Sequence, residues 1–334
     1  MELFQLTQAL VNIESVTGHE RACAEFLQDY LADKKFQVDL QPVSRERSNV
    51  FARWGKPDIV LSTHLDTVPP FFPAHEDAEF IYGRGACDAK GILASQIVAA
   101  ERLIAEGVED FALLFVVGEE TTSDGAREAN LHPCGSRYFI NGEPTENKLI
   151  VGSKGNLRLD VRARGKMAHS AYPHLGESAI EKLLGILDDL RGLPLPHDPL
   201  LGPSTLNIGV ISGGRAANVI PDEASAQILI RTVEDSEPLR RSISELLAGR
   251  CEFTFVRDTP VIRLEKLEGF ETGVVAFSTD VPCLTKWGRP ALLGPGSIAD
   301  AHTERERVKK AELVRAVELY RELVRRLKVR GSDQ

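Results

Sequence analysis

The unbroken apolar run Phe111 to Val117, set between polar flanks, leaves a chain of this kind few ways to fold. It lacks the alternation of a half-solvated strand and fits a strand buried on both faces. It ends at Gly118, and Glu119 and Glu120 follow at once. Two other segments repeat the pattern. Asp58-Ile59-Val60-Leu61 runs into Ser62-Thr63-His64-Leu65-Asp66-Thr67-Val68-Pro69, and Arg137-Tyr138-Phe139-Ile140 runs into Asn141-Gly142-Glu143-Pro144-Thr145. Buried strands that end in His and acidic residues place them at the carboxyl edge of a sheet, where open α/β folds keep their ligands.

The rest of the chain fits that reading. Helical spacing covers residues 2 to 13 and 19 to 35, with Gly18 between them, and Phe36 to Leu40 and Asn49 to Trp54 read as neighbouring strands. The Gly-rich stretch Tyr82 to Gly91, containing Asp88, leads into an apolar helix from about Ile92 to Ala105. Alternating strands and helices predict an α/β domain whose mostly parallel sheet is covered by helices on both faces. From Gly155 the pattern changes. Strictly alternating strands and two helices follow in the order β-α-β-β-α-β, the split pattern of a ferredoxin-like α+β module. Residues 154–258 are therefore expected to form an inserted domain, and 1–153 with 259–334 the main domain. A helix from about Leu264 to Phe277, a strand at Ala291 to Leu293 and a final helix from about Lys309 to Lys328 complete the expectation, with Gly331 to Gln334 frayed.

Composition excludes several classes. At 334 residues, 43% hydrophobic and 27% charged, the chain is of ordinary globular make-up and long enough for two domains. A net charge of −9 argues against a nucleic-acid partner. No apolar run suggests a membrane span, and the N-terminus lacks a basic leader. The five cysteines form no Cys-x-x-Cys and no disulfide framework, so a reduced, cytoplasmic protein is expected.

The candidate chemistry lies in His64, Asp88, Glu119, Glu120, Glu143 and His302. Two histidines and several carboxylates without a thiolate suit zinc, cobalt or manganese. The donors outnumber what one catalytic metal needs, whereas five with one shared carboxylate would serve two. His64 and Asp66, two apart, point to the same side of a continuing strand, so the acid could hold the His in one tautomer. Glu119 and Glu120 would point opposite ways on an extended strand end, one to bind metal and one to carry a proton. Each residue taken singly also reads as a solvated turn.

Together the motifs resemble those of the co-catalytic zinc family that includes acetylornithine deacetylase, succinyl-diaminopimelate desuccinylase, aminoacylase and glutamate carboxypeptidase. The resemblance is carried by Ser62 to Pro69, Gly83 to Gly91, Glu119-Glu120, Gly142 to Thr145 and Ala301-His302-Thr303, in family order along nearly the whole chain. It implies two divalent ions, most simply zinc, bridged by Asp88 and completed by His64 with Glu143 and by Glu120 with His302. It implies Glu119 as general base and acid, Asp66 as the residue that orients His64, and an inserted domain that makes a homodimer. His169, in Gly165 to Pro173, matches a His that reaches the partner's active site as an electrophilic donor. Asn218 and Arg231 fall on positions associated with substrate contact, and the backbone amides of Gly294-Pro295-Gly296-Ser297 could form an anion nest.

Two departures from the family pattern stand near the motifs: Gly118 where an Asp is frequent, and Glu304 where a Pro is usual. A dinucleotide site is disfavoured because Asp88 stands where the fingerprint needs a glycine, and no Gly-x-Ser-x-Gly elbow of a serine hydrolase is present. The expected activity is cleavage of an N-acyl amino acid in the manner of acetylornithine deacetylase. The alternatives are a di- or carboxypeptidase of the same family, or a relative that only binds.

Overall fold

The computed structural model describes residues 1–264 and 266–330, so the frayed end expected at Gly331 to Gln334 lies outside the described residues. The chain opens with helices α1 (Leu3–Val11) and α2 (Arg21–Asp33) and strands β1 (Gln37–Ser44), β2 (Arg47–Trp54) and β3 (Ile59–His64). Helix α3 (Lys90–Ala105), strand β4 (Phe111–Val116), helix α4 (Asp124–Ala129) and strand β5 (Tyr138–Asn141) follow. A second set comprises β6 (Gly155–Arg164), α5 (Ala179–Arg191), β7 (Thr205–Gly213), β8 (Glu223–Thr232), α6 (Glu237–Leu247) and β9 (Glu252–Thr259). The chain ends with β10 (Arg289–Leu292) and α7 (Lys310–Arg330).

Two compact units result. One is Met1–Val151 with Leu264–Gly273 and Thr279–Gln334, and the other is Gly152–Arg263 with Val274–Ser278. The second unit is slightly larger than the 154–258 expected from the sequence.

In the first unit a six-stranded sheet has the order β1-β2-β4-β3-β5-β10. β4, β3, β5 and β10 run parallel, while β1 and β2 are antiparallel additions at one edge. β3, β4 and β5 are buried at every position, as their unbroken apolar runs require. One face packs on α1, α2, α3 and α7 in a single core. α7 contributes Leu313, Ala316, Val317, Tyr320, Leu323, Val324 and Leu327, one stripe at helical spacing. Side chains alternate across the sheet: Val50 and Ala52 enter that core, whereas Phe51 meets Trp287 edge-on, and Trp287 Nε1 donates to the Ala129 carbonyl of α4. Both faces are thus covered, and the polar strand ends are left at one edge.

The second unit is a four-stranded antiparallel sheet in the order β7-β8-β6-β9 with α5 and α6 packed on it, a ferredoxin-like arrangement. Leu157, Leu159, Val161 and Ala163 of β6 face the helices, and Arg158, Asp160, Arg162 and Arg164 alternate with them.

The helix expected over 264–277 does not form. Ile262–Arg263 and Thr272–Val275 are strands, and the described residues between them include a turn. Gly269 takes φ +81°, outside the helical region, and β-branched Thr272, Val274 and Val275 favour extension. The short helix α4 gave no sequence signal strong enough to be expected.

Candidate metal centre

β3 ends at His64, which is buried. The Leu65 N–H donates to the Val116 carbonyl, so β3 and β4 stay joined one residue past the strand. His64 Nε2 lies 3.0 Å from Asp88 Oδ1, and Nδ1 lies 3.0 Å from the Asp66 carbonyl oxygen. The second Asp88 oxygen, Oδ2, is 3.4 Å from His302 Nε2, which is also 3.0 Å from Glu120 Oε1. Asp88 therefore turns one oxygen to each histidine. Two groups of donor atoms result, His64–Asp88–Glu143 and Asp88–Glu120–His302, and in each the atoms lie within 4.8 Å of one another.

These separations fit divalent ions. Nitrogen and oxygen ligands about 2.0–2.1 Å from a tetrahedral zinc sit roughly 3.4 Å apart. The donor set is imidazole and carboxylate, as zinc, cobalt or manganese prefers. The electrostatics agree. Burial works against a charge on His64, yet bonding to Asp66 and Asp88 outweighs it and raises the ring well above the ordinary imidazole value. Bonding to Asp88 and Glu120 pushes His302 up to about 10. So many carboxylates in one place call for cations among them.

The comparisons with known proteins decide the family. Residues 151–252 match the model of the peptidase dimerisation domain. A peptidase M20 domain-containing protein of Schizosaccharomyces pombe is 43% identical over 335 residues, covering 96% of this chain and 84% of that protein. The chain belongs to the M20 peptidase family. A probable carboxypeptidase of Aspergillus clavatus is 40% identical over 372 residues, covering 96% of this chain and 82% of that protein. Among solved structures, a tripeptidase of Staphylococcus aureus shares the fold with a TM-score of 0.79 at 20% identity, covering 96% of this chain and 95% of that one. The relatives are named as peptidases and probable carboxypeptidases, which fits the peptidase alternative better than the expected cleavage of an N-acyl amino acid.

Glu119 and Glu120 differ in surroundings, but not for the reason the sequence suggested. β4 stops at Val116, Gly118 takes φ +77°, and the two acids lie in a turn instead of on an extended end. Glu120 bonds to His302, whereas the Glu119 carboxylate has no hydrogen-bond partner among the described residues. Desolvation, with Glu143 and Asp280 close by, raises the Glu119 carboxyl well above the usual range.

Asp66 does more than face His64. Its carboxylate is 3.5 Å from the His64 ring, but it accepts the backbone N–H groups of Glu119 at 3.1 Å and Glu120 at 3.2 Å and the Thr17 hydroxyl at 2.7 Å.

The Gly294 to Ser297 turn is not an anion nest. The Gly294 N–H donates to Thr145 Oγ1 at 2.9 Å, the Gly296 N–H to Glu312 Oε2 at 2.9 Å, and the Ser297 hydroxyl to Glu146 Oε1 at 3.1 Å. Its glycines serve close approach instead. A Cβ on Gly294 would overlap the Glu143 backbone, and one on Gly296 would come within 2.6 Å of Cys87 Sγ, beside Asp88.

In the second unit, His169 and Asn218 lie side by side on a two-stranded ribbon. His169 pairs with Val219, and the Ser170 N–H donates to the Asn218 carbonyl. The exposed His169 ring accepts the Ala171 N–H at Nδ1, so in its neutral form Nε2 carries the proton. Arg231 lies elsewhere. It is eight residues along β8 from Glu223, a span of about 26 Å, and its Nη1 is buried without a hydrogen-bond partner.

Among the buried acids that sequence reasoning missed are Asp280 and Glu306. Asp280 is 1% exposed, and burial, with Asp66 nearby, outweighs the Ser123 hydroxyl and pushes its carboxyl up to about 6. Neither acid lies at the end of a recognisable strand run, so no local signal marks it.

Proposed function

We propose that this M20 protein is a two-metal peptidase that removes residues from the carboxyl end of short peptides. The observation that carries the reading is Asp88, whose two oxygens enter both donor groups, beside a Glu119 carboxylate with no hydrogen-bond partner among the described residues. In this reading His64, Asp88 and Glu143 hold one divalent ion and Asp88, Glu120 and His302 the other, zinc first, with cobalt or manganese as substitutes. When bound, such a pair lowers the pKa of a water and polarises a carbonyl.

The chain's own groups do the rest. Glu119, with its raised affinity for a proton, takes one from the attacking water and returns it to the leaving nitrogen. Asp66 fixes the backbone of the Glu119–Glu120 turn, so the proton carrier and the metal donor keep their separate directions. His169 presents its Nε2 proton to a developing oxyanion, and the Arg231 guanidinium, whose Nη1 has no hydrogen-bond partner among the described residues, takes a carboxylate. Arg231 lies roughly 26 Å along β8 from Glu223, the strand end that follows the His169–Asn218 ribbon in the chain, and one short substrate does not span that length. If both contact the same molecule, they come from different subunits, which the dimerisation-domain match supports.

The carboxypeptidase choice rests on the names of the relatives, and substrate turnover tests it. With zinc or cobalt added, dipeptides and tripeptides with free carboxyl ends should be cut, their carboxamides spared, and N-acetyl-ornithine left intact. Preferential cleavage of N-acetyl-ornithine would return the protein to the deacylases. No turnover of any substrate with two ions bound would make it a binding protein.

A further inference from the structure

Glu306, four residues beyond His302, is fully buried. Its carboxylate serves one stretch of chain. Oε1 accepts the backbone N–H groups of Gly85 at 3.0 Å, Cys87 at 3.1 Å and Asp88 at 2.9 Å, and Oε2 accepts Arg84 Nη1 at 2.7 Å. The Glu306 carbonyl also accepts the Gly83 N–H at 3.0 Å. Backbone N–H groups that converge in this way form a concave site for an anion. Here the chain supplies the anion itself, from 218 to 221 residues away, and every buried charge in the cluster is partnered.

The consequence is geometric. Asp88 and His302 belong to the same donor group, and the two segments that carry them are tied together at Glu306. The other group is held differently. His64 ends β3, and Glu143 follows Gly142, whose N–H donates to the Ser62 carbonyl at 2.7 Å and whose carbonyl accepts the Thr63 hydroxyl at 2.8 Å. Asp88 apart, that group hangs on the sheet and owes nothing to Glu306.

We propose that Glu306 is a positioning residue that sets the spacing of Asp88 and His302, and with it the affinity of the Asp88–Glu120–His302 group for its ion. This rests on the two-metal reading above.

The test is a titration of metal-stripped, full-length protein with cobalt(II) alone, followed by visible absorption and calorimetry. Wild type, Glu306→Gln and His302→Ala are compared, the last identifying which binding step belongs to the His302 group. Glu306→Gln keeps the shape of the side chain but sets an amide N–H2 or a weaker acceptor against Arg84. It should weaken the step lost in His302→Ala by about ten-fold or more and the other, which shares Asp88 but not His302 with the tied segments, by distinctly less. Unchanged affinities, or equal weakening of both steps, would overturn the assignment. A wild type that binds fewer than two ions would bring down the two-metal reading and this inference with it. If Glu306→Gln does not fold, amide exchange in the metal-free wild type decides. Protected N–H groups at Gly85, Cys87 and Asp88 support Glu306 as the anchor, and exchange at exposed-loop rates overturns it.

Discussion

Asp66 holds the backbone of Glu119: its Oδ1 accepts the Glu119 N–H at 3.1 Å. The acid beside His64 therefore reaches across to the end of the neighbouring strand and fixes the proton carrier proposed there. His64 keeps its own bond to the Asp66 carbonyl whatever the side chain does. Asp66→Ala should therefore lower kcat by roughly 10–100-fold with little loss of bound metal. Steady-state kinetics beside elemental analysis checks this, and metal loss in step with activity would return Asp66 to the role of orienting His64.

Glu119→Gln removes the proton carrier and keeps its size. Turnover should fall by at least about 100-fold while KM and both ions are retained. Substantial residual kcat would exclude Glu119 as the base.

The two histidines should differ in what they cost the metal-free fold. The His302 side chain is 47% exposed and that of His64 is 1% exposed. His64→Ala should lose about 1–3 kcal/mol of metal-free stability, and His302→Ala should lose less, because the space its half-exposed ring vacates opens to water around Asp88 and Glu120. Both should lose metal. Denaturant unfolding of the stripped proteins, with metal content measured separately, distinguishes the two effects.

Asp280 gives a pH signature. Its folded-state pKa of about 6 lies above the ordinary 3.8 because burial disfavours the charge. The fold therefore binds this proton more tightly than the unfolded chain does. The resulting stability is full below pH 3.8 and is lost as the pH rises through 6. Asp280→Asn has no such proton to lose, so its stability relative to metal-free wild type should improve by about 2 kcal/mol between about pH 4.5 and 7.5. Parallel urea curves at the two pH values test it. A difference that does not change with pH would mean that Asp280 is ionised throughout.

The strand ends were readable because a fully buried strand must be apolar throughout, so its polar exit stands out. His64, Glu119, Glu120 and Glu143 were found in this way, and the structure brings His64, Asp88, Glu120, Glu143 and His302 into two touching groups. What escaped notice depends on contacts remote in sequence. Glu306 matters through amides 218 to 221 residues away, and Asp280 through its burial near Asp66, more than 200 residues earlier. The Gly294 and Gly296 amides looked free to bind an anion because Thr145 and Glu312, which take them, are invisible locally. The failed helix over 264–277 shows apolar spacing overruled by Gly269, whose neighbour in space is the Arg326 guanidinium of α7.

Gly118 carries a consequence for how this protein can change over evolutionary time. Its φ is +77°, and a Cβ there would overlap Asp124 Oδ1 and crowd the Arg47 guanidinium, which Asp124 and Glu20 share. The aspartate that the family resemblance leads one to expect cannot simply be placed at 118, because Asp124 Oδ1 already stands where its Cβ would lie. The two positions form a contingent pair. Any residue with a Cβ at 118 therefore requires Asp124 to move or to change with it, or it will clash at the entrance to the Glu119–Glu120 turn.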